Sequence, residues 1–223
     1  MLSRDDTELS RSWLDGALER FGADNDDLVL QTRSLLARTV SEAPRHARLL
    51  NTLSMLEHIG SHKIMSTQHA VDIDQPTLKH VAEEAGHAYF MKRQAEKAAE
   101  RPLEFVDADL LAPAAARMYF QRLEAAMVRT LARQRSARAV YLYMSMIVEF
   151  RALWFYGLYQ QTLERHRHAV SLKRVIGEER GHLAEIANRL DMAGELSDAR
   201  STEFLARERT LYARLLAGLQ RAA

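Results

Sequence analysis

Apolar residues recur along this chain at intervals of three and four, the spacing of one face of an α-helix. The pattern predicts eight helices. Residues 6–21 (DTELSRSWLDGALERF) make an amphipathic helix ended by Gly22, and a second over 27–42 stops at Pro44. A third, 45–68, carries the stripe Leu49, Leu53, Leu56, Gly60 and Ile64. A polar turn and Pro76 introduce a fourth, 76–100, with Val81, Ala88 and Met91 on one side and Lys79, Glu83, Arg93 and Lys97 on the other. A long connection, 101–136, holds a helix of its own over 113–134. The next, 137–164, is apolar nearly all round (VYLYMSMIVEFRALWFYGLY), so it belongs at the centre of the fold. Residues 171–193 show Leu172, Val175, Ile176, Leu183, Ile186 and Leu190 on one face and end near Gly194, and 198–220 form a last cover helix.

Charge interrupts these stripes. Glu57 lies in the third helix, Glu84 and His87 in the fourth, Glu149 in the most hydrophobic part of the sixth, Glu179 and His182 in the seventh. Two interruptions repeat one phrase, Glu-Glu-x-Gly-His, at 83–87 and 178–182. A Glu three residues before a His turns about 300° and climbs about 4.5 Å, so both side chains leave one helix face. Random placement of the chain's Glu and His gives about 0.7 such pairs, so one match is weak. Two matches that share the extra Glu and Gly, each inside an apolar stripe, are hard to reach by accident. Glu57 precedes Glu84, and Glu149 precedes Glu179, at similar intervals, so one helix pair is used twice.

Four carboxylates and two imidazoles thus point into what should be a dry core. Unpaired there, the carboxylates would be prohibitively costly or driven to protonate, because burial disfavours the charged form. Two divalent cations would balance the four negative charges. Mixed carboxylate and imidazole ligands suit iron or manganese, and open positions on such ions are accessible to dioxygen or peroxide.

Composition narrows the rest. The 223 residues suffice for one domain with a sizeable core. Only 9 Gly and 4 Pro leave little punctuation for a β-rich fold. A net charge of +1 gives no general argument for nucleic-acid or membrane binding. Cys is absent, which excludes disulfides, thiolate zinc sites, iron–sulfur clusters and a Cys nucleophile. The longest apolar run, Ala139 to Val148, is too short to span a bilayer, and the N-terminus lacks a signal-type apolar core. The expected location is the cytoplasm, with no membrane partner.

The six residues in this order resemble the ferritin-like di-iron carboxylate superfamily, whose bundles supply one Glu from each of two helices and Glu-x-x-His from each of the other two. The resemblance makes Glu84 and Glu179 bridging ligands, and Glu57, Glu149, His87 and His182 terminal ones. It implies two iron ions, with manganese or a mixed iron–manganese pair as variants. It covers residues 45–193 and implies an all-α, ferritin-like four-helix bundle with a long helical crossover. Residues 1–44 and 195–223 become flanking helices of a single domain, 1–223. Rubrerythrin-like peroxidases usually add a Cys-rich iron domain that this chain cannot have, and ferritin lacks the second His. The double-His set resembles bacterioferritin, rubrerythrin and the oxygen-activating oxidases and hydroxylases, including the tRNA hydroxylase branch.

The function so implied is an oxidoreductase that activates dioxygen to oxidise or hydroxylate a small organic substrate, with electrons from an external donor. A ferroxidase or peroxidase, which predicts no substrate-sized cavity, is one alternative. A non-catalytic metal-binding or stress-associated bundle, with full coordination, is another. A tRNA substrate would require a basic surface built from Arg45, Arg48, Lys63, Arg133, Arg135, Arg138, Arg165 and Arg167. A homodimer is compatible with this much helix surface.

Other residues read more plainly. Tyr156, two turns after Glu149, is a candidate hydroxyl beside the ligands, although a core Tyr with a satisfied hydroxyl is the simpler reading. Glu83 and Glu178 sit 100° off the stripes and read as solvated or as partners of the ligands. His58, His62, His69 and His80 read as surface or capping residues, and His166 and His168 as cations at a helix C-terminus. Gly60, Gly86 and Gly181 each cost roughly 0.5–1 kcal/mol relative to Ala, which close helix packing or room for oxygen or substrate would explain. Ser54, Ser61 and Ser145 lie one turn from a lone Glu and are candidates to hold it.

Overall fold

The computed structural model of the chain describes residues 4–66, 73–131 and 137–223, with side chains from Trp13 onward except those of 137 and 138. Among the described residues eight α-helices follow one another: α1 Arg4–Asp24, α2 Asp26–Val40, α3 Ala43–Ser66, α4 Gln75–Ala99, α5 Pro113–Leu131, α6 Ala137–Arg165, α7 Lys173–Met192 and α8 Asp198–Ala222. A 3-10 turn, Asp107–Asp109, lies in the crossover before α5. No strand occurs among the described residues, and the architecture is an all-α bundle. α3 lies along α4 and α6 along α7, so two helical hairpins form the centre. The crossover between them carries α5, which pairs with the distant α8, while α2 packs on α6 and α1 on α7. No described helix is long and apolar enough to cross a membrane.

The helix boundaries fall within a few residues of those the periodicity predicts, with two physical differences. Gly22 does not end α1. The helix runs on to Asp24 and breaks at the wholly buried Asn25, whose Nδ2 donates to the Phe21 carbonyl at 2.8 Å. Pro44 does not stop α2 but sits in the first turn of α3, where a missing N–H leaves no bond unmade. The expected turn after α3 and the tail of α5 fall largely on 67–72 and 132–136, outside the described residues.

Helix ends elsewhere use ordinary chemistry. The Asp74 carboxylate accepts the Thr77 N–H at 2.9 Å to start α4, with Pro76 in the same turn. Gly194 at φ +66° lets the Glu195 N–H return to the Leu190 carbonyl at 2.9 Å and close α7. The crossover is pinned by polar residues of α3. Asn51 Nδ2 donates to the Glu104 and Asp109 carbonyls at 2.8 and 2.9 Å, and the Thr52 hydroxyl accepts the Leu111 N–H at 2.7 Å.

α6 is central, as its composition requires. Tyr143, Ile147, Phe150, Tyr159 and Leu163 are wholly buried, each worth on the order of 2 kcal/mol of removed apolar surface. One charged pair crosses this interior. Arg151 of α6 grips Glu208 of α8 through Nε at 2.8 Å and Nη2 at 2.7 Å, and the Tyr119 hydroxyl of α5 donates to the same carboxylate at 2.8 Å. Arg151 Nη2 also donates to Asn25 Oδ1 at 2.6 Å, so four segments meet at one ion pair.

His46 of α3 is buried, shares a hydrogen bond with the Tyr159 hydroxyl, and has the His168 ring 4.6 Å away. Burial first, and the neighbouring His168 second, lower its pKa from 6.5 to about 4. The folded chain therefore keeps His46 neutral where the unfolded chain protonates it. That contribution is intact above pH 6.5 and is lost as pH falls toward 4. It amounts to about 3 kcal/mol at most. Urea unfolding of the wild type should show this loss between pH 6.5 and 4, and His46→Gln should flatten it; equal slopes in the two proteins would refute it.

Candidate metal centre

The facing sides of α3, α4, α6 and α7 bring all six sequence-predicted residues together. Their ligand atoms form two groups, each with every atom within 4.8 Å of the others. One is Glu57, Glu84, His87 and Glu179; the other is His80, Glu84, Glu149 and His182. Glu84 belongs to both. Glu179 also touches both histidines of the repeated motif, with Oε1 3.1 Å from His87 Nδ1 and Oε2 2.9 Å from His182 Nδ1. Apart from Glu57, which is partly buried, these residues are buried.

His80 is the seventh member, and its expected surface role is wrong. Its Nε2 lies 3.2 Å from Glu149 Oε1 and 3.6 Å from Glu84 Oε1, while Nδ1 meets the Tyr141 hydroxyl at 3.2 Å. The signal was present in the spacing. His80 precedes Glu84 by four residues and His87 by seven, so all three occupy one helix face. The matching position before Glu179 is Val175, so the repeat does not call attention to it.

The first Glu of each motif is partly exposed but not idle. His87 Nε2 donates to Glu178 Oε2 at 2.8 Å, and His182 Nε2 donates to Glu83 Oε2 at 2.8 Å. Each motif thus holds the other motif's histidine across the α4–α7 interface. This leaves both Nδ1 atoms facing the cluster, the arrangement in which an outer carboxylate fixes a ligand's tautomer and ring orientation. Tyr156 plays the same part for a carboxylate: its hydroxyl donates to Glu57 Oε1.

The other nearby candidates divide. At Gly60 the approach is close: a Cβ there would sit 3.3 Å from Glu84 Oε2, so the carboxylate would have to shift by a few tenths of an ångström. Gly86 and Gly181 have nothing within 4 Å of that position, so close packing does not explain them. Ser54 donates to the Ala88 carbonyl across the α3–α4 hairpin and Ser61 to the His58 carbonyl, so neither holds a ligand. His58 is exposed and stacks on Phe105, His62 and His166 are exposed, and His69 lies outside the described residues. Of the basic residues, Arg45 pairs with Glu42 and Lys63 with Glu124, and Arg48 donates to the Leu110 carbonyl. Arg133, Arg135 and the side chain of Arg138 fall outside the described residues.

The electrostatics are those of too many acids in one dry place. Burial, then the adjacent Glu84 and Glu179, push Glu57 well above the usual carboxylate range. Burial and Glu149 likewise raise Glu179. For the histidines, burial pulls downward but bonds to the carboxylates win, raising His80 to about 10, His87 to about 9 and His182 to about 11. Glu84 Oε1 and His87 Nδ1 are nevertheless buried with no hydrogen-bond partner among the described residues, and both face the middle of the cluster. Buried polar atoms left without a hydrogen-bond partner among carboxylates and imidazoles fit a metal ion, whose binding would displace the proton from His87 Nδ1, and the oxygen and nitrogen donor set fits it chemically.

An apolar cavity of about 90 Å³ ends on Glu57, Glu84, Glu149 and Glu179, with Leu53, Leu56, Phe120 and Phe155 in its walls. A second, of about 50 Å³, reaches His80, Glu84 and Glu149 from the Lys63–Glu124 ion pair. No protein-family model, no curated protein and no solved structure matches this chain.

Glu83→Ala and Glu178→Ala should each weaken ferrous or manganous binding about 10–100-fold, the usual effect of removing an outer partner of a ligating His. Competition against a chelating dye measures this, and unchanged affinity in both variants would contradict the assigned roles. His80→Ala should lower metal occupancy while the hydrogen bond from Tyr156 to Glu57 and the helical spectrum persist; full occupancy would return His80 to a structural role.

Proposed function

We propose that the chain is a ferritin-like, non-haem di-iron carboxylate oxidoreductase, with a mixed iron–manganese pair as a variant, that uses dioxygen to oxidise or hydroxylate a small organic molecule. The observation that carries this reading is the apolar cavity ending on the four clustered carboxylates. Its apolar lining suits a small organic group better than ferrous iron or peroxide, and a purely structural metal needs no space beside its ligands.

Bound metals would supply the oxygen-activating and electron-transferring chemistry. Glu57, Glu84, Glu149, Glu179, His80, His87 and His182 would hold them. The chain's own contribution is positional. Glu178 and Glu83 keep the Nε2 protons of His87 and His182 pointing outward, and Tyr156 steadies Glu57. The apolar wall keeps water from the reacting end of the substrate. In a hydroxylation one C–H becomes C–OH, the second oxygen atom leaves as water, and an external reductant provides two electrons and two protons.

Elemental analysis after anaerobic ferrous loading, followed by optical spectra on adding dioxygen, tests the reading. We expect about two irons per chain and an oxygen-dependent visible band, both lost in Glu84→Ala. Metals that bind yet ignore oxygen and peroxide would leave a structural role. No stoichiometric metal under any loading would remove the site.

A further inference from the structure

α5 and α8 are tied together at two levels. A Cβ on Gly218 would lie 2.7 Å from the Ala115 Cβ, so the helices approach closely there, and the Tyr119 hydroxyl donates to Glu208 at 2.8 Å. Between the two helices lies a groove of about 250 Å³, larger than either cavity at the metal centre. At about 10–15 Å³ per water-sized group, it has room for on the order of twenty such groups. Its floor is apolar, made by Ala115, Leu211 and Leu215, and Met118, 39% exposed, adds an adaptable apolar wall.

Arg122 of α5 and Arg214 of α8 border this groove, one from each helix. Both are exposed, and neither has a hydrogen bond, ion pair or ring contact among the described residues. Other arginines of the two helices are taken: Arg117 pairs with Asp107 and Arg209 with Asp27. Residues 113–123 and 209–223 contain no Asp or Glu, and the next acid along α5, Glu124, is bonded to Lys63. The groove thus presents two unneutralised cations beside apolar surface.

That combination selects an anion with an apolar body. Guanidinium forks fit carboxylate and phosphate alike. A carboxylate offers two oxygens on one edge, which a single fork occupies. A phosphate monoester offers three oxygens and a charge of about −1.5 to −2 at pH 7, which suits two separate guanidinium groups. We propose that the α5–α8 groove binds a phosphate monoester of a short apolar alcohol, its phosphate held by Arg122 and Arg214 and its apolar body laid on Leu211 and Leu215. No residue of the metal centre lines the groove, so this assignment stands apart from the function proposed above.

The probe is hexyl phosphate, with inorganic phosphate and hexanoate for comparison, each titrated calorimetrically into the full chain without added metal. We expect one hexyl phosphate per chain, and inorganic phosphate and hexanoate each at least tenfold weaker. Arg122→Met and Arg214→Met should each weaken hexyl phosphate at least fivefold, whereas Arg180→Met, which removes an exposed arginine of α7, should leave it unchanged. Nuclear Overhauser contacts should join the hexyl chain to the methyl groups of Leu211 and Leu215. Inorganic phosphate as tight as hexyl phosphate would leave charge attraction alone, and hexanoate as tight would remove the preference for phosphate; either overturns the proposal. So would affinity unchanged in both arginine variants, or the absence of saturable binding. Should a variant fail to fold, the wild-type Overhauser contacts decide: contacts only to methyl groups outside the groove place the molecule elsewhere, and the proposal fails.

Discussion

Everything at the centre of this protein follows from placing four carboxylates and three imidazoles inside an apolar bundle. Desolvation works against every one of them in its charged form, and mutual repulsion works against the acids a second time. In the chain by itself the acids are met by protonated histidines, an arrangement in which Glu84 Oε1 and His87 Nδ1 still find no hydrogen-bond partner among the described residues. The surrounding structure serves this same problem. Gly60 clears space for a carboxylate, Tyr156 donates to another, and Glu83 and Glu178 each hold the opposing helix's imidazole from behind.

The repeated phrase in the sequence builds a symmetric frame with unsymmetric contents. The two cross-helix bonds, His87 to Glu178 and His182 to Glu83, are equivalent. The two ligand groups are not: one offers two imidazoles and two carboxylates, the other one imidazole and three carboxylates. Nitrogen-richer and oxygen-richer donor sets differ in their preference among first-row ions. Two differences are responsible: His80 stands where the second half has Val175, and Glu84 belongs to both groups whereas Glu179 belongs to one.

The fold was almost wholly legible in the sequence because long amphipathic stripes leave few ways to bury their apolar faces, and α6, apolar all round, had to be central. The six charged residues that the sequence singles out are brought together, because charge inside an apolar stripe marks itself. His80 escaped because a single histidine is usually a surface residue, a base rate that outweighed its correct register with Glu84. For Glu83 and Glu178 the sequence leaves two roles open, solvated or partner of a ligand. Lying 100° off the stripe does not decide between them, and only the close facing of α4 and α7 does. The ion pair of Arg151 and Glu208 joins residues 57 positions apart and has no local signature at all.

The position of α8 in the chain sets an order of events during synthesis. All seven cluster residues lie between 57 and 182, whereas α8, which contributes Tyr212, Leu215 and Leu219 to the cavity wall and Glu208 to Arg151, begins only at Asp198. At about 5–20 residues per second, the last cluster residue leaves the ribosome's active site about 2–8 s before the end of α8 is made. During that interval the nascent bundle has its acidic centre but lacks one wall of the cavity beside it, and Arg151 lacks its counter-ion. α8 thus completes both at once: until it is made, the carboxylates stand open on the side that the finished molecule covers.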